Sequence, residues 1–352
     1  MRIAQIAPLF EAVPPKLYGG TERVVSALTE DLVAMGHDVT LFASGDSETT
    51  AKLDAIVPRA LRLDPSVKDW VSTYHRMMEL VYRRAHEFDV LHFHVDYFPS
   101  SLFGRQSTPF LTTLHGRLDL PEFAEVYNLF PDVPMVSISD SQRLPVPDLG
   151  WVGTVLHGMP AQRLTPQPVE QSYLAFLGRV SPEKGIESAI RIAGAVGMTL
   201  KVAAKVDVAD RAYFDSAVAP LLKQNPNVEF IGEISDAQKP AFLSGAHALL
   251  FPINWPEPFG LVMIESMACG CPVIAFRRGS VPEVMDDGVT GFIVENEAEA
   301  IAALGRLGEI DRAGVRAQFD KRWTSRRMAE NYVSIYQRLV RRAKPKLHAV
   351  GA

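Results

Sequence analysis

One pattern constrains this chain more than any other, and it occurs twice. Short apolar runs alternate with longer segments of helical period. In the first half the runs fall at 2–6, 39–43, 90–94, 110–114, 133–138 and 154–156. Between the first two, Val24, Val25, Leu28, Leu32 and Val33 recur at helical spacing until Gly36, and 69–88 reads as a second helix. A polar, proline-rich stretch, 160–171, then interrupts the pattern and reads as a linker. Alternation restarts with strands at 173–177, 199–203, 228–231, 248–251, 273–275 and 292–294, and with helices at 185–195, 209–224, 260–269 and 298–307. Strand–helix–strand repetition implies a parallel sheet covered on both faces. The expected fold is therefore α/β, with two doubly wound parallel-sheet domains at 1–165 and 166–323. Ligands of such sheets sit at the carboxyl ends of strands, so two facing sheets would share one cleft.

Composition agrees with two ordinary cores. The chain has 352 residues, 47% hydrophobic and 22% charged, with 36 Lys and Arg against 41 Asp and Glu. A net charge of −5 argues against general nucleic-acid binding. Cys269 and Cys271 are too few for a disulfide framework, and they read as small core residues in a reducing compartment. The N-terminus enters a strand directly, and no run approaches the ~18 apolar residues of a membrane span, so a cytoplasmic protein is expected.

The strongest local signal is Pro256-Glu257-Pro258-Phe259-Gly260-Leu261-Val262-Met263-Ile264-Glu265. Pro258 suits the first position of a helix, where its missing N–H costs nothing. First-turn N–H groups at Phe259, Gly260 and Leu261 would then bind an anion with help from the helix dipole. Glu265 falls on the same face as Leu261, about 6 Å along the axis, and its carboxylate leans back toward that anion. A phosphate at the helix start and a diol on Glu265 suit a nucleotide, with Glu257 on the phosphate's other side. The alternative makes Glu257 a helix-start charge and Glu265 a solvated residue.

A second signal, Gly178-Arg179-Val180-Ser181-Pro182-Glu183-Lys184-Gly185, delivers two cations at a strand's carboxyl end. They could neutralise a diphosphate, or be ordinary turn charges. Gly19-Gly20-Thr21 after the first strand permits close backbone approach to a ligand or forms a plain turn. It is not the G-x-G-x-x-G dinucleotide fingerprint. His92 and His94 share one side of a strand without a third ligand to complete a metal set, and His115-Gly116 follows another strand. No Asp-x-Asp pair exists to hold Mg²⁺ or Mn²⁺ on a nucleotide.

Together these segments resemble the retaining glycosyltransferases of the GT-B fold, in the large family often called family 4. The resemblance runs in order through Gly19-Gly20, His115-Gly116, Gly178-Arg179 with Lys184, and Glu257 to Glu265. It continues through Gly270-Cys271-Pro272, Gly279-Ser280-Val281-Pro282-Glu283 and Gly288-Val289-Thr290-Gly291. It implies that Arg179 and Lys184 bind a donor diphosphate, with the Gly20 amide, beside Gly19, on the same group. Glu265 would hold the ribose, and Glu257 with the amides of Phe259, Gly260 and Leu261 would orient the donor sugar. His115 would touch that sugar, and Gly232-Glu233 would meet the base. The catalytic set is then His115, Arg179, Lys184 and Glu257.

The resemblance also implies retention, no cofactor and no divalent metal, and a final helix, with about 324–352, crossing back to the first domain. A UDP-sugar is the first expectation as donor, with GDP- or ADP-sugars as alternatives. The acceptor is an unidentified hydroxyl on a saccharide, a lipid-linked compound or a small molecule. Arg341, Arg342, Lys344 and Lys346 would assist weak peripheral membrane association or form a solvated helix end. Two departures stand out: His157-Gly158 replaces the usual Asn-Gly, and Ala204-Lys205-Val206-Asp207 replaces a glycine-rich turn. The competing readings are a nucleotide-sugar 2-epimerase-like isomerase and a non-catalytic sugar-binding protein.

Overall fold

The computed structural model describes residues 1–16 and 19–343. Leu17 and Tyr18 of the glycine loop, and Lys344 and Lys346 of the basic tail, lie outside the described residues. The chain divides into two compact units. One comprises Met1–Ile138, Arg143–His157 and the chain from Ser325 on; the other comprises Ser139–Gln142 and Gly158–Thr324.

The first unit is a seven-stranded sheet built from β1 (Arg2–Ile6), β2 (Asp38–Ser44), β3 (Lys52–Val57), β4 (Val90–Phe93), β5 (Phe110–Thr113), β6 (Met135–Ser137) and β7 (Trp151–Thr154). Its order is β3-β2-β1-β4-β5-β6-β7, and every pairing is parallel. Central strands are buried on both faces, as their uninterrupted apolar runs require. The helix Trp70–Arg84 starts where the Asp69 carboxylate accepts from the Val71 and Ser72 amides. Its Tyr74, Met77, Met78 and Val81 enter the core. The helix Ser325–Ala343 packs against the helix Gly20–Ala34 and β4, so the last helix belongs to this unit.

The second unit is a six-stranded parallel sheet of β8 (Tyr173–Arg179), β9 (Leu200–Lys205), β10 (Val228–Phe230), β11 (Ala246–Phe251), β12 (Val273–Phe276) and β13 (Gly291–Val294). The order is β10-β9-β8-β11-β12-β13. Both cysteines are buried and unbridged, and burial pushes the Cys269 thiol up to about 12.

Four expectations need correction. The segment 44–58 contains the edge strand β3, whose outer half is exposed and therefore lacks an apolar run. The strand expected at 154–156 lies earlier, as β7, and is half-buried throughout. The helix expected over 209–224 breaks into short turns, because Pro220 has no N–H for the ladder and the turn before it widens into a π-type segment, Phe214–Val218. The supposed linker is strapped to the second unit, whose main segment begins at Gly158: Met159 donates to the Trp323 carbonyl (2.9 Å), and Arg316 donates to the Ala161 and Leu164 carbonyls (both 2.9 Å). No described helix is long and apolar enough to cross a membrane.

Candidate active site

In the second unit β8 and β11 are neighbours, and the chain leaves them toward opposite sides of the sheet. A crevice opens at such a switch point. The loop after β8 carries Lys184 and the loop after β11 carries Glu257. Gly185, at φ +73°, lets the two loops touch, since a Cβ there would fall 1.9 Å from the Pro252 carbonyl oxygen. The Asn254 amide donates to the Glu183 carbonyl at 2.8 Å and locks the contact. As a result Lys184 Nζ lies 2.5 Å from Glu257 Oε2 and 5.0 Å from the centre of the Trp255 ring. Trp255 Nε1 donates to the same carboxylate oxygen at 2.9 Å.

The backbone around Glu257 is clamped from behind. Ser280 donates its amide to the Glu257 carbonyl and its hydroxyl to the Phe259 carbonyl, both at 2.9 Å. A Cβ on Gly279 would meet the Glu257 carbonyl oxygen at 2.3 Å. Ser139 donates to the Pro258 carbonyl at 2.6 Å, and the Glu283 carboxylate accepts from the Asp140 and Ser141 amides.

The helix itself starts later than expected. Gly260 is its cap, at φ +80°, and the helix runs Leu261–Ala268. Pro258 and Phe259 therefore precede the helix, so the first-turn amides begin at Leu261. The reason is local: only glycine reaches that left-handed cap easily, and a Cβ there would press on Met263 and Phe251.

Glu265 is 4% exposed, so it is no solvated surface residue. Its Oε1 lies 2.6 Å from Lys239 Nζ, which also lies 3.2 Å from Asp236; Arg163 pairs with Asp236 in turn. Arg179 Nε lies 3.2 Å from Asp210 Oδ2, and Arg179 acts on the Glu183 carboxylate together with Lys184. Gly232, at φ +76°, and exposed Glu233 follow β10, and make no hydrogen bond or ion pair with Lys184, Glu257 or Glu265 among the described residues. Lys239, Asp236, Asp210 and Trp255 escaped sequence reasoning. A single lysine opening the short helix Lys239–Ser244 leaves no periodic signal.

In the first unit Gly19 caps the helix Gly20–Ala34, where a Cβ would fall 2.7 Å from the Pro15 side chain. Glu22, in its first turn, is buried, and burial raises its carboxyl to about 6. His115 stacks on His157 with ring centres 5.2 Å apart and bonds His94. His92 and His94 each bond two side-chain partners through their ring nitrogens. No group of three or more His, Cys, Asp or Glu suited to a metal occurs among the described residues.

Residues 162–322 match the family model described as glycosyl transferases group 1, and residues 18–135 match the one described as glycosyltransferase family 4. The chain belongs to the group 1, family 4 glycosyltransferases. One curated relative, D-inositol 3-phosphate glycosyltransferase from Mycobacterium tuberculosis, is 32% identical over 148 residues, which are 40% of this family member and 31% of the relative. The match thus spans about a third of that relative's length. Sucrose-phosphate synthase from Thermosynechococcus elongatus is 19% identical with a TM-score of 0.79, over 97% of this chain and 99% of that one. Anabaena HepE, solved with UDP and glucose, is 16% identical with a TM-score of 0.74, over 96% and 99%. These likenesses show the fold: two Rossmann-like units of the GT-B type.

Proposed function

We propose that this family member moves a sugar from a nucleoside diphosphate, UDP in the first instance, to an acceptor hydroxyl, with retention and without a divalent cation. The carrying observation is the Lys184–Glu257 contact at the β8/β11 switch point, with buried Glu265 one helix turn beyond the Gly260 cap. An ammonium has three donors, so Lys184 can keep Glu257 and still bind a phosphate oxygen. Arg179 supplies the second cation for the diphosphate. Glu265, held by Lys239, accepts from ribose hydroxyls, and Glu257 orients the sugar. The complex of Anabaena HepE with UDP and glucose supports the donor class.

In this reading the acceptor oxygen attacks the anomeric carbon on the face that the diphosphate leaves. The new carbon–oxygen bond forms as the carbon–phosphate-oxygen bond breaks, and the acceptor's proton passes to the departing oxygen. Arg179 and Lys184 stabilise the charge that collects there. The acceptor is a hydroxyl compound handled by the first unit.

A nucleotide-sugar panel screened by thermal shift should give one clear binder, and that donor should be turned over in excess EDTA. NMR of the product should show the donor's anomeric configuration. Complete loss on chelation with recovery on Mn²⁺ would overturn metal independence. Consumption of donor to an epimer without acceptor would favour the isomerase.

A further inference from the structure

The first unit contains a buried chain of polar side chains behind His115. It starts at Tyr332 and Tyr336 on the helix Ser325–Ala343 and ends at His115. Gln5 lies on β1 beside His92 on β4, and both strands turn these side chains to the face that the helix covers. Tyr332, Tyr336, Gln5, His92 and Thr113 are buried without residual exposure.

The Gln5 amide gives the chain a direction, because its nitrogen only donates and its oxygen only accepts. Gln5 Nε2 donates to the Tyr336 hydroxyl at 3.1 Å, so the Tyr336 proton turns to His92 Nδ1 at 2.8 Å. His92 then carries its proton on Nε2 and donates to Thr113 Oγ1 at 2.7 Å, and Thr113 donates to the Tyr332 hydroxyl at 2.9 Å. In the other arm Gln5 Oε1 accepts from His94 Nε2 at 2.8 Å. Neutral His94 must then accept at Nδ1, and its partner is His115 Nε2 at 2.9 Å. That leaves His115 Nδ1 as a bare lone pair, buried and without a hydrogen-bond partner among the described residues. Either polarity leaves that atom unpaired, so the direction is set by the Gln5 amide. Burial lowers the basicity of all three rings, which keeps them neutral.

We infer that Gln5, His94 and the tyrosines of the last helix act as positioning residues that fix His115 as its Nε2–H tautomer, presenting Nδ1 to accept a hydrogen bond from a substrate hydroxyl. The inference rests on the reading of His115 as a sugar-facing group. It adds which atom does the work and which part of the chain sets it.

The test is ¹⁵N NMR of the full chain labelled at histidine, together with steady-state kinetics. Wild-type His115 should show a single neutral Nε2–H tautomer at pH 7.5. Gln5→Met keeps the length and removes the director, so His115 should become a mixture of tautomers and kcat should fall about ten-fold, with nucleoside diphosphate affinity unchanged. Tyr336→Phe, a milder change that serves if Gln5→Met does not fold, should shift the mixture less. A wild-type Nδ1–H tautomer, or an unaltered tautomer in a folded variant, overturns the relay. If the tautomer shifts as expected while His115→Ala turns over normally, the relay stands and the sugar-facing reading fails.

Discussion

In the first unit the strand ends present histidines joined in series to neutral partners, with one ring nitrogen of His115 left open, and in the second they present cations held against carboxylates. The first arrangement is directional and short-ranged, suited to aiming a hydroxyl. The second stores charge beside a crevice, suited to a ligand that brings two negative phosphates. The same α/β architecture supports both, because each parallel sheet presents its own side chains at the strand ends. Neutral networks answer to pH, whereas charge pairs answer to the removal of a charge, and that contrast can be tested.

The largest expected effect is acid sensitivity. Burial lowers the pKa of His92, His94 and His157 well below the ordinary 6.5, and that of His115 to about 3. A depressed folded-state pKa means that these rings contribute their stability fully above pH 6.5 and lose it as pH falls toward 3. For His115 the cost is about 1.4 kcal/mol per pH unit in that window, so about 2 kcal/mol should be gone by pH 5 through this ring, and the other three act in the same direction. Thermal melts at pH 8, 6.5 and 5 should show the drop. A flat melting temperature would remove the first half of the comparison.

On the charged side, Arg179→Ala or Lys184→Ala should lower turnover by about 10²–10³, the scale of one lost charge stabiliser. Both side chains are partly exposed, so circular dichroism should report an intact fold. Near-normal turnover in both variants would remove the diphosphate clamp. Glu265→Gln should weaken nucleoside diphosphate binding about ten-fold or more, since a hydrogen bond to a charged carboxylate contributes about 1.5–3 kcal/mol. Glu257→Gln should spare that binding and depress transfer. Calorimetry with the free diphosphate separates them, and the reverse pattern would invert the two roles.

The smallest effect concerns Glu22, a buried carboxylate in the first turn of the helix Gly20–Ala34. Burial raises its pKa to about 6, so the folded state favours the protonated form and loses stability as pH rises from 4.5 through 6. Glu22→Gln should raise stability at pH 7.5 by up to about 2 kcal/mol and change nothing at pH 4. Equal melting curves for the two proteins at both pH values would sink the assignment.

The sheets were legible because buried parallel strands need continuous apolar runs. β3 and β7 were missed or misplaced because edge strands do not. Arg179, Lys184, Glu257 and Glu265 stood out because strand ends focus attention on charges, and the structure brings Lys184 to Glu257 as a direct contact. Pairings formed across the fold leave no local trace: Lys239 on Glu265, Asp210 on Arg179 and Tyr336 on Gln5 join residues far apart in the chain. The Pro258 expectation failed because proline at a helix start is a tendency, whereas glycine at a left-handed cap is a steric requirement.

That the last helix belongs to the first unit has a consequence for biosynthesis. Tyr332 and Tyr336 are fully buried there, yet they follow the whole of the second unit in the order of translation. At about 5–20 residues per second the ribosome needs roughly nine to thirty-six seconds to pass from the first unit's seventh strand to these tyrosines. Through that interval the nascent first unit keeps the part of one sheet face around Gln5 and His92 uncovered while the second unit emerges as an almost continuous stretch. Slow codons between the seventh strand and these tyrosines, or a stop before them, would therefore strike a unit whose sheet has already been made.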